Sequence, residues 1–328
     1  MQTRKLGSSD LHLSTVGLGT WGISGSGWAG SWGPQDDNES IEAIIRAYDL
    51  GVNWIDTAAV YGLGHSEEVV GKALKKLPER PIIATKLGLC WDENGEIFRR
   101  LTKESVHREV EDSLRRLDID TIDLYQIHWP IDDNHDEVLE GWGTIADLIK
   151  EGKVRYAGVS NFGVELMKKI QEIYPVTSLQ PPYSMIRRGT EKEILHYCGE
   201  SNIGVVCYSP MGKGLLTGKF SKERVDNLPD EDHRKGGSEF NDPQLSITLG
   251  MLDELRPIAD KNGRTLAQLA IAWVLRRPEV TAAIVGARRP SQIEETAQAG
   301  DWNLSQEDIA EIDQILERYE AKSAEARA

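Results

Sequence analysis

Short apolar runs rich in β-branched residues alternate along this chain with segments of about ten to fifteen residues that have helical spacing. Most of the runs are bounded by Gly, Pro, Asn or Ser. This alternation is typical of a parallel sheet whose strands are connected by helices. About eight units are present, and they predict strands at 15–18, 53–57, 82–86, 123–128, 156–160, 178–181, 204–208 and 282–285.

The segments between the runs carry helix-terminating and helix-capping residues. Helices are predicted over 38–50, 66–77, 102–117 and, outside the repeat, 304–322. The stretch 211–245 is too long for an ordinary connection, which indicates a lid or binding loop. No composition break divides the chain. We therefore predict one (β/α)8 (TIM) barrel domain over residues 1–328, with a long loop after the seventh strand and an extra C-terminal helix.

Composition narrows the function classes. The net charge of −15 and the pI near 5.0 oppose a nucleic-acid-binding surface, which needs clustered Lys and Arg. Cys90, Cys198 and Cys207 are odd in number and lack metal-ligand spacing, which is typical of reduced structural thiols. The sequence has neither a signal-like N-terminus nor an apolar stretch of membrane-spanning length. We expect a cytoplasmic protein without nucleic-acid or membrane partners, and the sequence leaves its oligomeric state open.

Glycines at 17, 19 and 22 match the GxGxxG pattern of dinucleotide-binding folds. That motif requires a helix beginning at its third glycine, whereas here the chain continues through more glycines, serines and tryptophans up to Gly33. We interpret the segment as a glycine-rich loop at the barrel mouth.

Polar residues lie at or just after the ends of successive predicted strands. Because active sites of parallel barrels form at the carboxyl ends of the strands, we expect these side chains to converge. They are Asp56, Lys86, His128, Ser160, Asn161, Gln180 and Tyr208.

Lys86 is the most informative of these residues. A buried ammonium needs an acidic partner, and Asp56 is the candidate. Tyr61, in a glycine-flanked turn, could lie over the same mouth, where a neighbouring ammonium would lower the pKa of its phenol and make it a usable proton donor. Purely structural roles stay open: Asp56 and Lys86 as an ion pair, and His128 as a core histidine.

Several separated motifs together resemble the aldo-keto reductase superfamily, in particular its bacterial general-stress branch, over roughly residues 3–320. They are Val-Gly-Leu-Gly-Thr-Trp at 16–21, Ile-Asp-Thr-Ala at 55–58, Tyr-Gly-Leu-Gly-His-Ser-Glu at 61–67, Gly-Val-Ser-Asn-Phe at 158–162, Gln-Pro-Pro-Tyr at 180–183, Tyr-Ser-Pro-Met-Gly-Lys-Gly-Leu-Leu-Thr-Gly-Lys at 208–219 and Val-Gly-Ala-Arg-Arg-Pro at 285–290. The resemblance implies an enzyme that reversibly reduces small aldehydes or ketones to alcohols with a nicotinamide cofactor.

The resemblance also implies site residues. The catalytic set is Asp56, Tyr61, Lys86 and His128, with Tyr61 as proton donor, His128 orienting the carbonyl oxygen and Lys86, held by Asp56, tuning Tyr61. Ser160, Asn161 and Gln180 are assigned to the nicotinamide carboxamide, and Tyr208 to its ring. The implied cofactor contacts are Gly19, Thr20, Trp21, Asp56, Ser160, Asn161, Gln180, Tyr208, Ser209, Pro210, Met211, Gly212, Lys213, Gly214, Leu215, Gly286, Ala287, Arg288, Gln292 and Glu295.

Near the last strand the chain has Gly-Ala-Arg-Arg at 286–289, where many family members have Lys-Ser or Lys-Thr. Arg288 or Arg289 could bind the 2′-phosphate of NADPH, so NADPH is favoured and NADH is the alternative. The expected partner is a small carbonyl or alcohol substrate, such as a polyol-derived, sugar or dicarbonyl compound. Its expected contacts are Trp21, Tyr61, His128 and Trp129, with Trp28, Trp32, Trp91 and Tyr183 as further candidates.

Two other functions stay open. One is a nicotinamide-binding redox sensor or regulatory subunit with little turnover, which the same family resemblance allows. The other is a metal-dependent hydrolase on the same barrel. The absence of a compact His/Asp/Glu ligand cluster in the sequence, and a lysine that would repel a cation, argue against a metal site.

Overall fold

The computed structural model describes residues 1–326, and within them eight parallel strands close into a barrel. Each barrel strand pairs with the next one along the chain, and the last pairs with the first. The strands are β1 Thr3–Lys5, β2 His12–Ser14, β3 Val16–Gly19, β4 Trp54–Asp56, β5 Ile82–Leu87, β6 Leu89–Trp91, β7 Ile97–Arg99, β8 Ile122–Ile127, β9 Val154–Ser160, β10 Ser178–Gln180, β11 Gly204–Cys207 and β12 Val280–Gly286, with β3, β4, β5 and β8 to β12 forming the barrel. The predicted barrel is confirmed, and every predicted strand overlaps an observed one.

Helices cover the outside of the barrel, and the apolar core lies between them and the strands. They are α1 Asp37–Asp49, α2 His65–Leu74, α3 Lys103–Leu117, α4 His135–Lys150, α5 Val164–Gln171, α6 Ile194–Glu200, α7 Lys222–Asp226, α8 Gln244–Lys261, α9 Leu266–Leu275, α10 Pro290–Thr296 and α11 Gln306–Glu325. Thr102 caps α3, since its hydroxyl accepts a hydrogen bond from the Ser105 amide. Helix α11 is the predicted extra C-terminal helix.

An N-terminal hairpin formed by β1 and β2, which the sequence analysis missed, lies at the end of the barrel away from the strand carboxyl termini. Three leucines from the hairpin region, Leu6, Leu11 and Leu13, pack with the inward-facing residues Trp54 and Leu124. A Cβ on Gly17 would lie 2.0 Å from the Trp54 indole. Gly17 therefore lets this indole fill the barrel interior, so the first glycine of the GxGxxG match serves packing.

A second missed hairpin, formed by β6 and β7, projects from the mouth of the barrel directly after β5. Its Asn94-Gly95 turn, with Gly95 at φ 80°, is a hairpin signal that the sequence contains. Leu89 and Ile97 from this hairpin line the cleft at the mouth. The hairpin thus adds an apolar wall to the cleft.

The long loop (residues 211–245) follows β11 and is more ordered than the sequence indicates. It contains 3-10 turns at Gly212–Thr217 and Ser238–Phe240, and helix α7 between them. Its apolar side chains form a small core of their own, made of Leu215, Phe220, Val225, Phe240 and Leu245. The side chain of Leu215, a predicted cofactor contact, packs into this small core.

All three cysteines are buried and unpaired. Burial raises the pKa of the Cys90 thiol to about 11 and that of Cys198 to about 12. Burial likewise raises the pKa of Cys207 well above its usual value.

Within residues 1–326, none of the helices combines the length and apolar character that crossing a bilayer requires.

Candidate active site

The mouth of the barrel brings Asp56, Tyr61 and Lys86 into one hydrogen-bonded group. Asp56 ends β4, Lys86 is the penultimate residue of β5, and Tyr61 lies in the turn before α2. The Lys86 ammonium donates to Asp56 Oδ1 at 2.6 Å, to the Thr57 carbonyl oxygen at 2.8 Å and to the Tyr61 hydroxyl at 3.2 Å. The three hydrogen bonds use all three ammonium donors, so this buried cation is fully paired.

The phenol of Tyr61 is protonated at neutral pH. Burial raises the pKa of Tyr61, and the nearby Lys86 ammonium offsets only part of that increase. The expectation that Lys86 lowers the Tyr61 pKa below its ordinary value is therefore wrong for the protein alone, because burial outweighs the charge. For Lys86 itself, the Asp56 carboxylate and Tyr61 raise the pKa despite burial, so the ammonium stays charged.

His128 directly follows β8, and its ring meets the Tyr61 ring edge to face, with centroids 5.7 Å apart. Burial and the Lys86 charge hold the pKa of His128 well below 6.5. The imidazole is therefore neutral at physiological pH. A neutral ring beside Tyr61 supplies one N–H donor and one acceptor to a ligand at the mouth without adding a second cation.

The three amide and hydroxyl residues at the ends of β9 and β10 form a connected network. Gln180 Nε2 donates to Asp56 Oδ2 at 2.8 Å, and Ser160 Oγ donates to the Gln180 carbonyl at 2.8 Å. Asn161 Nδ2 donates to the His128 carbonyl at 3.0 Å, and Asn161 Oδ1 accepts from the Tyr208 hydroxyl at 2.9 Å. The network fixes both strand ends beside the Asp56–Lys86 pair and leaves Gln180 Oε1 without a donor among residues 1–326.

Around this network lies a cleft of about 470 Å³ that contains most of the residues expected to bind cofactor or substrate. The predicted residues in its lining are Gly19, Thr20, Trp21, Asp56, Tyr61, His128, Trp129, Ser160, Asn161, Gln180, Tyr208, Ser209, Pro210, Met211, Lys213, Gly214, Gly286, Gln292 and Glu295. Trp28 and Trp32 also line it. Gly212 and Leu215 lie outside this lining, and so do Trp91 and Tyr183. Tyr183 instead packs on Trp273 of α9, with ring centroids 5.3 Å apart.

The lining of the cleft contains several cationic side chains, although the whole chain is acidic. Five cationic side chains line it: Arg187, Lys213, Lys219, Arg224 and Arg234. Only Lys213 among them was expected from the sequence. Three of them are paired: Lys219 with Glu295 at 2.7 Å, Arg234 with Asp232 at 2.6 Å and Lys213 with Glu239 at 3.2 Å. Such a concentration of cations suits the phosphates of a dinucleotide, and the amide network suits a carboxamide. The residues therefore fit the nicotinamide cofactor that the sequence resemblance implies.

A second cavity of about 360 Å³ continues from the cleft and shares Trp32, Gly286 and Gln292 with it. Ala287, Arg288 and Arg289 line this cavity. The Arg288 guanidinium is bonded to the loop at 32–35, through Gln35 Oε1 at 2.6 Å, the Trp32 carbonyl at 3.2 Å and the Pro34 carbonyl. Arg288 therefore holds a mouth loop in place. Arg289 is exposed, and its side chain forms no ion pair within the described residues.

A family model described as the aldo/keto reductase family matches residues 15–317. The chain belongs to the aldo/keto reductase family. It is similar to aldo-keto reductase YhdN of Bacillus subtilis, at 37% identity over 97% of this chain and 94% of the relative. It is also similar to an NADH-specific methylglyoxal reductase of Escherichia coli, at 33% identity over 98% of this chain and all of the relative. Among solved structures, the glycerol dehydrogenase AKR11B4 from Gluconobacter oxydans matches with a TM-score of 0.87 and 40% identity, over 97% of this chain and 96% of that one.

Sequence reasoning missed several residues of the aldo/keto reductase cleft. Arg187, Lys219 and Arg234 lie on irregular segments, where no periodic pattern indicates which way a side chain points. Arg224 lies on α7, whose five residues are too few to show such a pattern. Leu89 and Ile97 were missed because they lie on the hairpin of β6 and β7, which the sequence analysis did not predict.

A metal site is a separate question. Residues 1–326 contain no group of three or more His, Cys, Asp or Glu side chains that could hold a metal ion.

Proposed function

We propose that this aldo/keto reductase reversibly reduces small aldehydes or ketones to alcohols, with Tyr61 as the proton donor. The observation that carries the proposal is the hydrogen bond from the Lys86 ammonium to the Tyr61 hydroxyl. It lies at the mouth of a cleft whose residues fit a nicotinamide cofactor. When bound, the reduced nicotinamide supplies hydride to the carbonyl carbon. Tyr61 gives its proton to the carbonyl oxygen as negative charge develops there, and the neutral His128 orients that oxygen.

Lys86 and Asp56 support this proton transfer. As the proton leaves, the Tyr61 hydroxyl becomes a phenolate that the adjacent ammonium stabilises, and solvent then returns a proton to it. Asp56 keeps Lys86 charged and in place. In the reverse direction, the same phenolate accepts the proton of the alcohol.

The substrate end of the cleft favours a small uncharged carbonyl compound. Its wall beside Tyr61 is formed by Trp21, Trp28, Leu89, Ile97 and Trp129, none of which is charged. Two of the relatives are named for a dicarbonyl and a triol substrate, which supports polyol-derived or dicarbonyl compounds here.

The proposed activity is tested by titrating the purified protein with NADPH and NADH and by following nicotinamide absorbance with a panel of short aldehydes and ketones. Turnover supports the reductase. Tight binding without turnover on any member of the panel supports the redox-sensor alternative, and binding of neither nucleotide contradicts both.

The pH dependence should differ between the two reaction directions. Reduction needs protonated Tyr61, and burial places its pKa above the ordinary 10, so kcat for reduction should stay level from neutral pH and fall only above pH 10. Oxidation needs the phenolate, so its kcat should rise over the same range. Because the pKa of His128 lies well below 6.5, protonation of His128 should cause no loss of reduction near pH 6.5. Steady-state rates in both directions check this, and a reduction rate that halves near neutrality would contradict it.

For the cofactor, we propose NADPH as the preferred nucleotide and Arg289, rather than Arg288, as the side chain that discriminates in its favour. Arg289→Ala should weaken NADPH binding roughly tenfold and leave NADH binding unchanged, because only NADPH carries the extra phosphate. Arg288→Ala should weaken both nucleotides, because it frees the loop at 32–35. Dissociation constants from calorimetry distinguish the two. Equal losses for both nucleotides in Arg289→Ala would refute the assignment.

A further inference from the structure

Three aromatic rings stack in a row from the long loop to the proposed proton donor. The His233 ring lies parallel to the Trp21 indole, with centroids 5.4 Å apart and an 8° angle between the planes. Trp21 in turn stacks on Tyr61, with centroids 5.9 Å apart and a 14° angle. The long loop therefore reaches Tyr61 through one intervening side chain.

Both outer members of this ring stack are anchored independently. The His233 backbone amide donates to the Ser31 carbonyl at 3.2 Å, and its ring Nδ1 lies 3.3 Å from the same oxygen. A carbonyl only accepts, so Nδ1 carries the proton. Burial and the charges of Lys213 and Arg234 lower the pKa of His233, against the opposing effects of Asp232 and the Ser31 contact, which keeps the ring neutral. Tyr61 is anchored by Lys86 at 3.2 Å.

Trp21 depends on its neighbours for its orientation. Its only side-chain hydrogen bond within residues 1–326 runs from Nε1 to the Gly30 carbonyl at 2.7 Å and fixes one edge of the indole. A single edge contact does not fix the tilt of the ring plane, so the tilt depends on the neighbouring rings. His233 and Tyr61 lie nearly parallel to the indole, whereas Trp28 and Trp32 lie at 49° and 39° to it, with centroids 6.3 and 6.4 Å away. Without His233, the indole loses one of its two nearly parallel neighbours.

We propose that His233 is a positioning residue for Tyr61, acting through Trp21, and that the long loop thereby holds the proton donor against Lys86. The inference rests on the proposed function for its kinetic consequence, although the ring contacts exist independently of it. Loss of the His233 ring lets Trp21 tilt, widens the contact between Tyr61 and Lys86, and admits water to the Tyr61 hydroxyl. Small displacements of a reacting group are costly, since about 1 Å lowers a rate by roughly a hundredfold.

Three variants test this role. His233→Ala removes the ring. His233→Phe keeps a flat ring of similar size and loses only the Nδ1 contact. Ser26→Ala is the matched control, because it removes the 2.9 Å hydrogen bond between Ser26 and Glu231. This bond also joins the two mouth segments but involves none of the three rings. We expect His233→Ala to lower kcat roughly tenfold to a hundredfold with little change in substrate KM, whereas His233→Phe and Ser26→Ala keep kcat close to wild type.

Ionisation of Tyr61 gives a readout that needs no turnover. The phenolate absorbance of each variant is measured against pH. Subtracting the absorbance of the same variant that also carries Tyr61→Phe leaves the signal of Tyr61 alone. The other groups that face Tyr61, namely Lys86, Asp56, His128 and Tyr208, are unchanged by the substitution. Burial is the largest cause of the raised Tyr61 pKa, so the water admitted beside Tyr61 outweighs the weaker hold of Lys86, and the Tyr61 pKa in His233→Ala should be lower than in wild type. In His233→Phe and Ser26→Ala it should equal that of wild type.

The outcomes separate this inference from the proposed function. The positioning role is supported if His233→Ala lowers both kcat and the pKa of Tyr61, and if His233→Phe restores both. Equal losses of kcat in His233→Ala and Ser26→Ala would assign the effect to loop closure and overturn the positioning role. A Tyr61 pKa in His233→Ala equal to that of wild type would overturn it as well. If the wild type shows no turnover but the pKa of Tyr61 still differs between wild type and His233→Ala, the proposed activity fails and the positioning role of the ring stack remains.

Discussion

Tyr61→Phe should lose roughly 10²- to 10⁴-fold in kcat, the usual contribution of a positioned acid, while binding the nicotinamide nucleotide as tightly as wild type. The phenylalanine ring keeps the stack on Trp21 and the edge-to-face contact with His128, and only the hydroxyl is lost. Lys86 keeps its bonds to Asp56 and Thr57, so the fold should be unaffected. Single-turnover rates and nucleotide titrations measure the two quantities separately.

Tyr125→Phe is the matched control for that experiment. Tyr125 lies on β8, and its hydroxyl is buried without a hydrogen-bond partner among residues 1–326. Removing it deletes the same atom from the same barrel away from the cleft, so kcat should equal that of wild type and stability should not fall. If Tyr61→Phe turned over as fast as Tyr125→Phe, Tyr61 would not be the proton donor.

Asp56→Ala should lower the free energy of unfolding by about 3–5 kcal/mol, because it leaves the Lys86 ammonium buried without its anionic partner. This is a large part of the stability of an ordinary domain, which is about 5–15 kcal/mol. The double variant Asp56→Ala/Lys86→Met removes both charges and should be more stable than the sum of the two single losses predicts. Urea unfolding of the four proteins gives the coupling free energy directly.

An exposed ion pair provides the comparison for Asp56→Ala. Asp147 and Lys150 on α4 are joined at 2.9 Å, with side chains 49% and 73% exposed. Water screens this pair, so Asp147→Ala should leave the free energy of unfolding almost unchanged. A loss in Asp56→Ala no greater than in Asp147→Ala would mean that the buried pair is not holding the mouth together.

The strands and the strand-end residues were predictable because they depend on local patterns and on one general property of parallel barrels. Apolar runs indicate where the strands lie, and closing them into a barrel brings Asp56, Lys86 and His128 to one face regardless of sequence distance. The hairpin of β1 and β2 was missed because its first strand, Thr3–Lys5, is polar and only three residues long.

The parts of the site that were not predictable depend on long-range packing. Arg288 meets Gln35 across 253 residues, and no local pattern signals that contact. The direction of the Tyr61 pKa shift depends on how deeply the phenol is buried relative to its distance from Lys86, which is a balance between two three-dimensional quantities. His233 lies in an irregular loop without a local motif, and its proposed role follows only from the ring packed against it.

The burial of the three cysteines has a consequence for a protein proposed to handle aldehydes. Reactive carbonyl compounds modify thiolates, and an enzyme that concentrates such compounds in its cleft risks inactivating itself. With the pKa of Cys90 at about 11, that of Cys198 at about 12 and that of Cys207 well above its usual value, almost none of these thiols is ionised at neutral pH. The fold thus keeps its most nucleophilic side chains away from the electrophiles it is proposed to consume.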